Sequence, residues 1–305
     1  MSGERRATMA SWRADLLLFM VVAVWGSTFV VVRDAVTEMG TMGVLASRFT
    51  IAALALGVFG FKSVRTARIS EIRAGVAVGL AYFMGFALQT AGLASTTASK
   101  AGFITGLSVV GVPFIAYLVW KVKPSVDAVA GVIFATAGLA FLSLADVRGV
   151  GIGDLLVLGC AVAFSVQYLL VSHFSVQCRI VPWTFYQLVT VALLSLMGSA
   201  LSGTSPLPAS TGAWWAALFL GLVATALVTV LQNIGQRYTT ATRAALIFSL
   251  EPVFAAIFGH FIQGDQLTGR MGIGAALILL GMITAELQWI THWRLRREEQ
   301  RMIPR

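Results

Sequence analysis

Ten apolar runs, each about 17 to 21 residues long, constrain this chain more than any other feature, because each suits a helix crossing a hydrocarbon layer about 30 Å thick. They are Leu16–Val32, Gly43–Phe61, Ala74–Leu93, Ala101–Trp120, Val126–Leu144, Leu155–Val171, Val181–Leu201, Ala213–Leu231, Ala244–Ile262 and Met271–Ile290. Their connections are short, which leaves no room for an inserted soluble domain. Only 11% of residues are charged and 58% are hydrophobic, against about 25% charged in soluble chains. The charges sit between the apolar runs, as expected when lipid is the solvent. The first run follows Arg5, Arg6 and Arg13 as a signal peptide would, but it is followed by Arg33-Asp34 without a small-residue cleavage site. It is expected to be a retained span.

The net charge of +9 could suggest a nucleic-acid partner, yet the cations flank apolar runs and act as topology signals. With the N-terminus inside, 17 of the 22 Lys and Arg residues fall on inner segments. Both termini are therefore expected in the cytoplasm, which needs an even number of spans. The two cysteines, Cys160 and Cys178, have no CxxC spacing, so neither a disulfide nor a zinc site is expected. His173, His260 and His292 are too scattered for a ligand set. No HExxH, GxSxG or P-loop occurs, so the residues of a zinc hydrolase, a serine hydrolase or an ATP-driven pump are missing.

The chain repeats itself. Leu88 to Ala101 (LQTAGLASTTASKA) matches Leu231 to Ala244 (LQNIGQRYTTATRA) at seven of fourteen positions, 143 residues apart. Asp15-Leu16-Leu17 matches Asp154-Leu155-Leu156, and Pro113 matches Pro252, each 139 apart. Five spans per copy is an odd number, so the second copy must enter the membrane from the opposite side. Inverted repeats of this kind typify secondary carriers, whose substrate site lies near the midplane between the halves. The expected architecture is all-α: a tail over residues 1–14, a first five-helix repeat over 15–145, an inverted repeat over 154–290, and a basic tail over 291–305.

Polar and aromatic residues inside the runs are candidates for a cavity wall, since in lipid such side chains turn toward protein or water. Trp25-Gly26-Ser27-Thr28 pairs through the repeat with Phe164-Ser165-Val166-Gln167. The alternative is that Gly26 and the small hydroxyls only let helices pack closely. Tyr82, Phe86 and Gln89 share one helix face. The substrate cavity is accordingly expected to use Trp25, Ser27, Tyr82, Phe86, Gln89, Phe164, Gln167, Tyr168 and Glu251. Gln232 and Asn233 stand equally well as substrate contacts or as partners of nearby backbone. Glu251 is either a proton- or cation-contacting group or an acceptor for the backbone disrupted at Pro252, and the second reading is favoured. Arg48, whose counterpart is Gln187, either snorkels to headgroups or pairs with a carboxylate or guides solute at the outer mouth; snorkelling is favoured.

Lys100, Arg243, Pro113 and Pro252 are gate or hinge candidates. The prolines free the carbonyls of Val109 and Phe248. Thr97 and Thr240 are expected N-caps, which leaves Lys100 and Arg243 in first turns where the helix dipole disfavours a cation. Something must offset that. Gly75/Gly79 and Gly102/Gly106 have GxxxG spacing and point to helix packing.

The ten runs, Trp25-Gly26-Ser27-Thr28-Phe29, the Thr-Thr-Ala hairpins followed by Lys or Arg, and Leu250-Glu251-Pro252-Val253-Phe254-Ala255 leading to Gly264-Asp265-Gln266-Leu267-Thr268 together resemble the EamA type of the drug/metabolite transporter superfamily. Asp265 stands where that pattern usually has glutamate. The resemblance implies a bacterial inner-membrane carrier, usually an exporter, of amino acids or other small metabolites or drugs. Expected partners are a small-molecule substrate and membrane lipids, with protons a candidate coupling ion and no nucleic acid. No cofactor, metal or catalytic group is expected, and ten spans suffice for a monomer enclosing its own pathway. Two rivals remain: a multidrug or toxic-cation exporter of the same fold, and a membrane-embedded enzyme on a lipid-linked substrate. The enzyme would need a carboxylate pair or metal set, whereas Glu251 and Glu286 look unpaired in sequence. A structural scaffold would not need the inverted repeat.

Overall fold

The computed structural model describes residues 11–96, 98–121, 123–143, 151–263 and 269–287. Among these every regular element is helical. Seven helices are long and apolar enough to cross a membrane: Trp12–Phe29, Ala35–Phe59, Ile69–Leu93, Ile152–Ser175, Ile180–Ser202, Thr211–Arg237 and Ala241–Ile262. Three shorter apolar helices, Ile104–Trp120, Val126–Gly138 and Gly272–Gly281, occupy the fourth, fifth and tenth expected runs. Residues 1–10 of the expected N-terminal tail, the C-terminal tail and Asp265 lie outside the described residues, as do the side chains of Lys100 and Glu286, whereas residues 11–14 of that tail already belong to the first helix.

The first helix, α1 (Ser11–Phe59), is two helices meeting at Gly40, whose φ of 67° and ψ of 168° break the ladder. Glycine takes that positive φ without a Cβ penalty, and a side chain there would also press on Thr204. The chain then runs through the one-turn α2 (Phe61–Val64), α3 (Ile69–Leu93), α4 (Ala98–Gly106), α5 (Ser108–Trp120) and α6 (Val126–Ser143). The second half comprises α7 (Ile152–Ser175), α8 (Ile180–Ser202) and α9 (Thr211–Leu218), which continues through a π-helical stretch Phe219–Leu227 into α10 (Val228–Arg237). It ends with α11 (Ala241–Phe248), α12 (Glu251–Phe258) and α13 (Gly269–Leu287).

The halves interlock rather than sit side by side. Helix α3 packs on α7 and α8, α1 packs on α8 and on the helices from Phe219 to Phe258, and α6 packs on α13. Close approach is made by glycine: a Cβ at Gly75 would meet Trp183 O at 2.5 Å and Tyr186 Cβ at 2.6 Å, and one at Gly79 would meet Thr190 Cβ at 2.7 Å. The GxxxG pair on α3 is thus a packing seam. Apolar side chains also cover the outside: on α8, Leu193, Met197 and Leu201 are exposed while Leu188, Val191 and Ala192 are buried. Such helices are apolar all round, as a lipid solvent permits.

Gly26 is one of the tight seams between the halves. An added Cβ would collide with Phe254 Cβ and approach Ala255 N within 2.9 Å, so α1 and α12 would have to separate. Gly26→Leu is expected to destabilise the protein by about 1–3 kcal/mol or more, read as a lower thermal unfolding temperature in detergent; an unchanged temperature would contradict this packing.

Polar pairs tie the halves at both ends. At the end holding Ser11, Arg179 donates to Glu71 through Nε (2.7 Å), Nη2 (2.8 Å) and its backbone N–H (3.2 Å), and to Thr66 O (2.6 Å). Glu71 is only 3% exposed while Arg179 is 44% exposed. Asp15 pairs with Arg243 at the same end. At the Gly40 end, Glu38 accepts from the N–H groups of Ala209 (3.0 Å) and Ser210 (2.9 Å), and Thr96 donates to Asp154 at 2.5 Å. The two repeat markers meet each other twice: each hairpin bonds the acid that opens the opposite repeat. An exposed ion pair is worth about 0–1 kcal/mol, but stripping Arg179 from the buried Glu71 carboxylate costs about 1–3 kcal/mol. Arg179→Ala is therefore expected to lower the unfolding temperature, and Glu71→Gln in that background to recover part of the loss, measured as a double-mutant cycle.

Candidate functional site

A cavity opens between the two limbs of α1, α3, α7 and the start of α12. Its wall includes Trp25, Thr28, Arg48, Tyr82, Phe86, Gln89, Phe164, Tyr168 and Glu251. Val32, Val44 and Leu93 carry the lining toward the Gly40 end. The aromatic rings form a continuous chain, with centroids 4.8 Å apart for Tyr82–Phe86, 5.3 Å for Phe86–Phe164, 6.2 Å for Phe164–Tyr168, 4.8 Å for Tyr168–Phe248 and 5.5 Å for Phe248–Trp25. Edge-to-face, tilted and stacked contacts of this type rigidify a wall. The Trp25 indole donates to Ala224 O at 3.3 Å, and the Tyr82 hydroxyl lies 3.4 Å from Thr229 Oγ1. Space open to the centre of a water molecule amounts to about 30 Å³, room for about two waters. A metabolite enters only if the walls part.

An arginine and a glutamate, which are not ion-paired, both line this space. Arg48 is 2% exposed, which corrects the favoured snorkelling reading: the guanidinium points into the bundle. Its Nε donates to Thr225 Oγ1 at 2.5 Å and its Nη2 to Ala224 O at 3.3 Å. The guanidinium carbon lies 4.7 Å from the Phe86 ring centroid and 5.6 Å from that of Phe49, within cation–π range. Glu251 also lines the cavity, and no ion pair or hydrogen bond engages its carboxylate among the described residues. No backbone donor at the proline takes it, so the geometry turns Glu251 toward the cavity instead of the disrupted ladder. A charge held this deep is costly without a partner, and such groups mark solute pathways.

The structure brings Trp25, Tyr82, Phe86, Gln89, Phe164, Tyr168 and Glu251 together at this cavity. Gln89 also donates to Thr105 Oγ1 at 3.2 Å. Ser27 is not in the lining: its hydroxyl donates to Val24 O at 2.7 Å. Gln167 turns away, fully buried, and accepts from Gln232 Nε2 at 3.4 Å. Thr28, the last residue of the Trp25-Gly26-Ser27-Thr28 element, is in the lining, while sequence reasoning missed Phe248, which links the rings of Trp25 and Tyr168. The signal for Arg48 was present in its repeat counterpart, since Arg48 and Gln187 are both polar within apolar runs.

Each proline-bearing run is interrupted upstream of the proline, at Leu107 before Pro113 and at Ser249–Leu250 before Pro252. The second break is partly satisfied by Ser249 Oγ donating to Leu246 O at 2.6 Å. It lets Glu251 open a new helix facing the cavity. Pro252 touches the Gly102 position, where an added Cβ would lie 3.7 Å from the ring. Thr240 caps α11 by accepting from Arg243 N at 3.2 Å, as its position predicts. The Asp15 carboxylate offsets the unfavourable place of Arg243 in that first turn. Thr97 and the Lys100 side chain lie outside the described residues.

Known proteins resemble this chain in sequence and in fold. The profile of the EamA-like transporter family matches twice, over residues 12–144 and 151–285. An uncharacterized transporter of Archaeoglobus fulgidus is 36% identical over 275 residues, covering 90% of this chain and 86% of that protein. The uncharacterized transporter YyaM of Bacillus subtilis is 26% identical over 220 residues, covering 69% and 72% respectively. A protein known from a crystal structure shares the fold with a TM-score of 0.75 at 20% identity, over 92% of this chain and 99% of its own. A bundle of apolar helices around an aromatic, charge-bearing cavity and two consecutive matches covering nearly the whole sequence lead to one conclusion: this multi-pass membrane protein belongs to the EamA-like transporter family.

Proposed function

We propose that the chain is a secondary carrier that exports small organic metabolites, foremost amino acids with aromatic or other amphipathic side chains, by alternating access. In this reading ten spans form two inverted five-helix repeats, residues 15–145 and 154–290, around the central cavity. Both termini lie in the cytoplasm and the bacterial inner membrane is the host. The observation that carries the substrate assignment is the Arg48–Glu251 arrangement within an aromatic wall. A fixed guanidinium suits a carboxylate, an unengaged carboxylate suits an ammonium, and the rings suit the side chain between them. A lone toxic cation would use Glu251 and the rings but would be repelled by Arg48, so the zwitterion is the better fit. The cavity candidates Trp25, Tyr82, Phe86, Gln89, Phe164 and Tyr168 supply the wall; Lys100 and Arg243 act at the hairpins, and Pro113 and Pro252 at the helix breaks.

Liposomes holding the purified protein and radiolabelled phenylalanine test this directly. Protein-dependent efflux, competed by other amphipathic amino acids, is expected; imposing a pH gradient shows whether protons are coupled. Folded protein that moves neither amino acids nor any other small solute would overturn the reading.

A further inference from the structure

Beneath the floor of the cavity, toward the Ser11 end, lies a buried polar cluster that the cavity does not use. It is built from Gln167, Gln187, Gln232, Asn233, Gln236 and Thr184, all at most 1% exposed. Gln232 Nε2 donates to Gln236 Oε1 at 3.0 Å, and Asn233 Nδ2 donates to Thr184 Oγ1 at 2.8 Å and to Gln187 Oε1 at 3.2 Å. Gln236 Nε2 donates to Tyr168 O at 3.0 Å, which joins the cluster to the cavity floor, and to Ser172 Oγ at 3.1 Å. Four amide atoms are nevertheless buried without a partner in the described structure: Gln167 Nε2, Gln187 Nε2, Gln232 Oε1 and Asn233 Oδ1. Two are donors and two are acceptors, and exchanging O and N in one amide moves the deficit without removing it. A merely structural network fills its bonds; one left half-filled is unfavourable.

The repeat says what this cluster corresponds to. Gln232, Asn233 and Gln236 are the counterparts of Gln89, Thr90 and Leu93, Gln187 is that of Arg48, Gln167 that of Thr28, Tyr168 that of Phe29, and Thr184 that of Leu45. Every one of those first-half residues lines the cavity that reaches toward the Gly40 end. In an inverted repeat the same positions of the two copies serve the two faces of the pathway in turn. We infer that the amide cluster is a second vestibule of the pathway, closed in this conformation, which on opening takes water and the uncharged hydrogen-bonding groups of the solute. This rests on the carrier reading above. The chemistry of the two vestibules differs: Arg48 puts a cation in the first, and Gln187 leaves the second neutral. The closed vestibule lies between the Asp15–Arg243 and Glu71–Arg179 pairs and the cavity floor, so its opening requires those Ser11-end helices to part.

The test is cysteine accessibility in sealed proteoliposomes, using Gln232→Cys and the similarly sized Thr184→Cys in a chain with Cys160→Ala and Cys178→Ala, with Gln177→Cys and Ser205→Cys as exposed controls at the Ser11 and Gly40 ends respectively. A membrane-impermeant maleimide applied from the Ser11-end face is expected to label both cluster positions, and added phenylalanine to change the labelling rate. Gln89→Cys is expected to label from the opposite face. Should the double alanine background not fold, the same cysteines are read in the native chain after subtracting its own labelling. Cluster cysteines that stay unlabelled from both faces while Gln177→Cys and Ser205→Cys label fully from their own faces would overturn the inference, whatever the flux. Absence of phenylalanine flux in the wild-type vesicles, by contrast, counts against the carrier reading and not against the accessibility of the cluster.

Discussion

Arg48→Leu is expected to lower amino-acid efflux from proteoliposomes by about 10- to 100-fold, the equivalent of one charge-assisted hydrogen bond of about 1.5–3 kcal/mol to the substrate carboxylate. The change also leaves Thr225 Oγ1 and Ala224 O without their guanidinium donor, so some loss of thermal stability must accompany it. Arg48→Lys separates the two effects. An ammonium can still donate to one of these oxygens and carry charge, but it lacks the planar fork. Stability should largely return while the Michaelis constant for the amino acid stays raised. If Arg48→Lys restored both together, Arg48 would be a strut for the Phe219–Leu227 stretch and the substrate assignment would lose its anion site.

Glu251→Gln is expected to have an effect of similar size with little structural cost, because the carboxylate has no bond to lose among the described residues. The amide keeps the shape and removes the charge that an ammonium would meet. N-acetylphenylalanine, which lacks the ammonium, supplies the discriminating measurement. Acetylation should weaken recognition by the wild type by about tenfold or more and cost the Glu251→Gln variant nothing further, the signature of two changes that delete one interaction. Equal penalties for acetylation in both proteins would detach Glu251 from the amino group. A proton-coupling role would show separately, as Glu251→Gln efflux that ignores an imposed pH gradient.

The Ser11-end pair Asp15–Arg243 and the Gly40-end pair Thr96–Asp154 are formed together in one conformation. In this conformation they tie the two halves together at both ends of the bundle. The hairpins that first disclosed the repeat sit at those ties, while the cavity and the amide cluster lie on the helices they connect.

The sequence by itself determined the lipid solvent, the helical class, the internal duplication, the Thr240 cap and most of the aromatic wall, because run length, local capping and repeat spacing are properties of neighbouring residues. Only the tertiary structure decided which way each helix is turned. In lipid the outward face is as apolar as the inward one, as Leu193 and Leu188 on α8 illustrate, so periodicity carries little information about rotation. For that reason Arg48 could be assigned to headgroups from sequence yet is buried beside Phe86, and Gln167 could be assigned to the cavity yet joins Gln232. Glu251 likewise needed the break at Ser249–Leu250 to be aimed inward. Rotation about a helix axis is fixed by the packing of partners far apart in the chain, as Gly26 against Phe254 and Gly75 against Trp183 show.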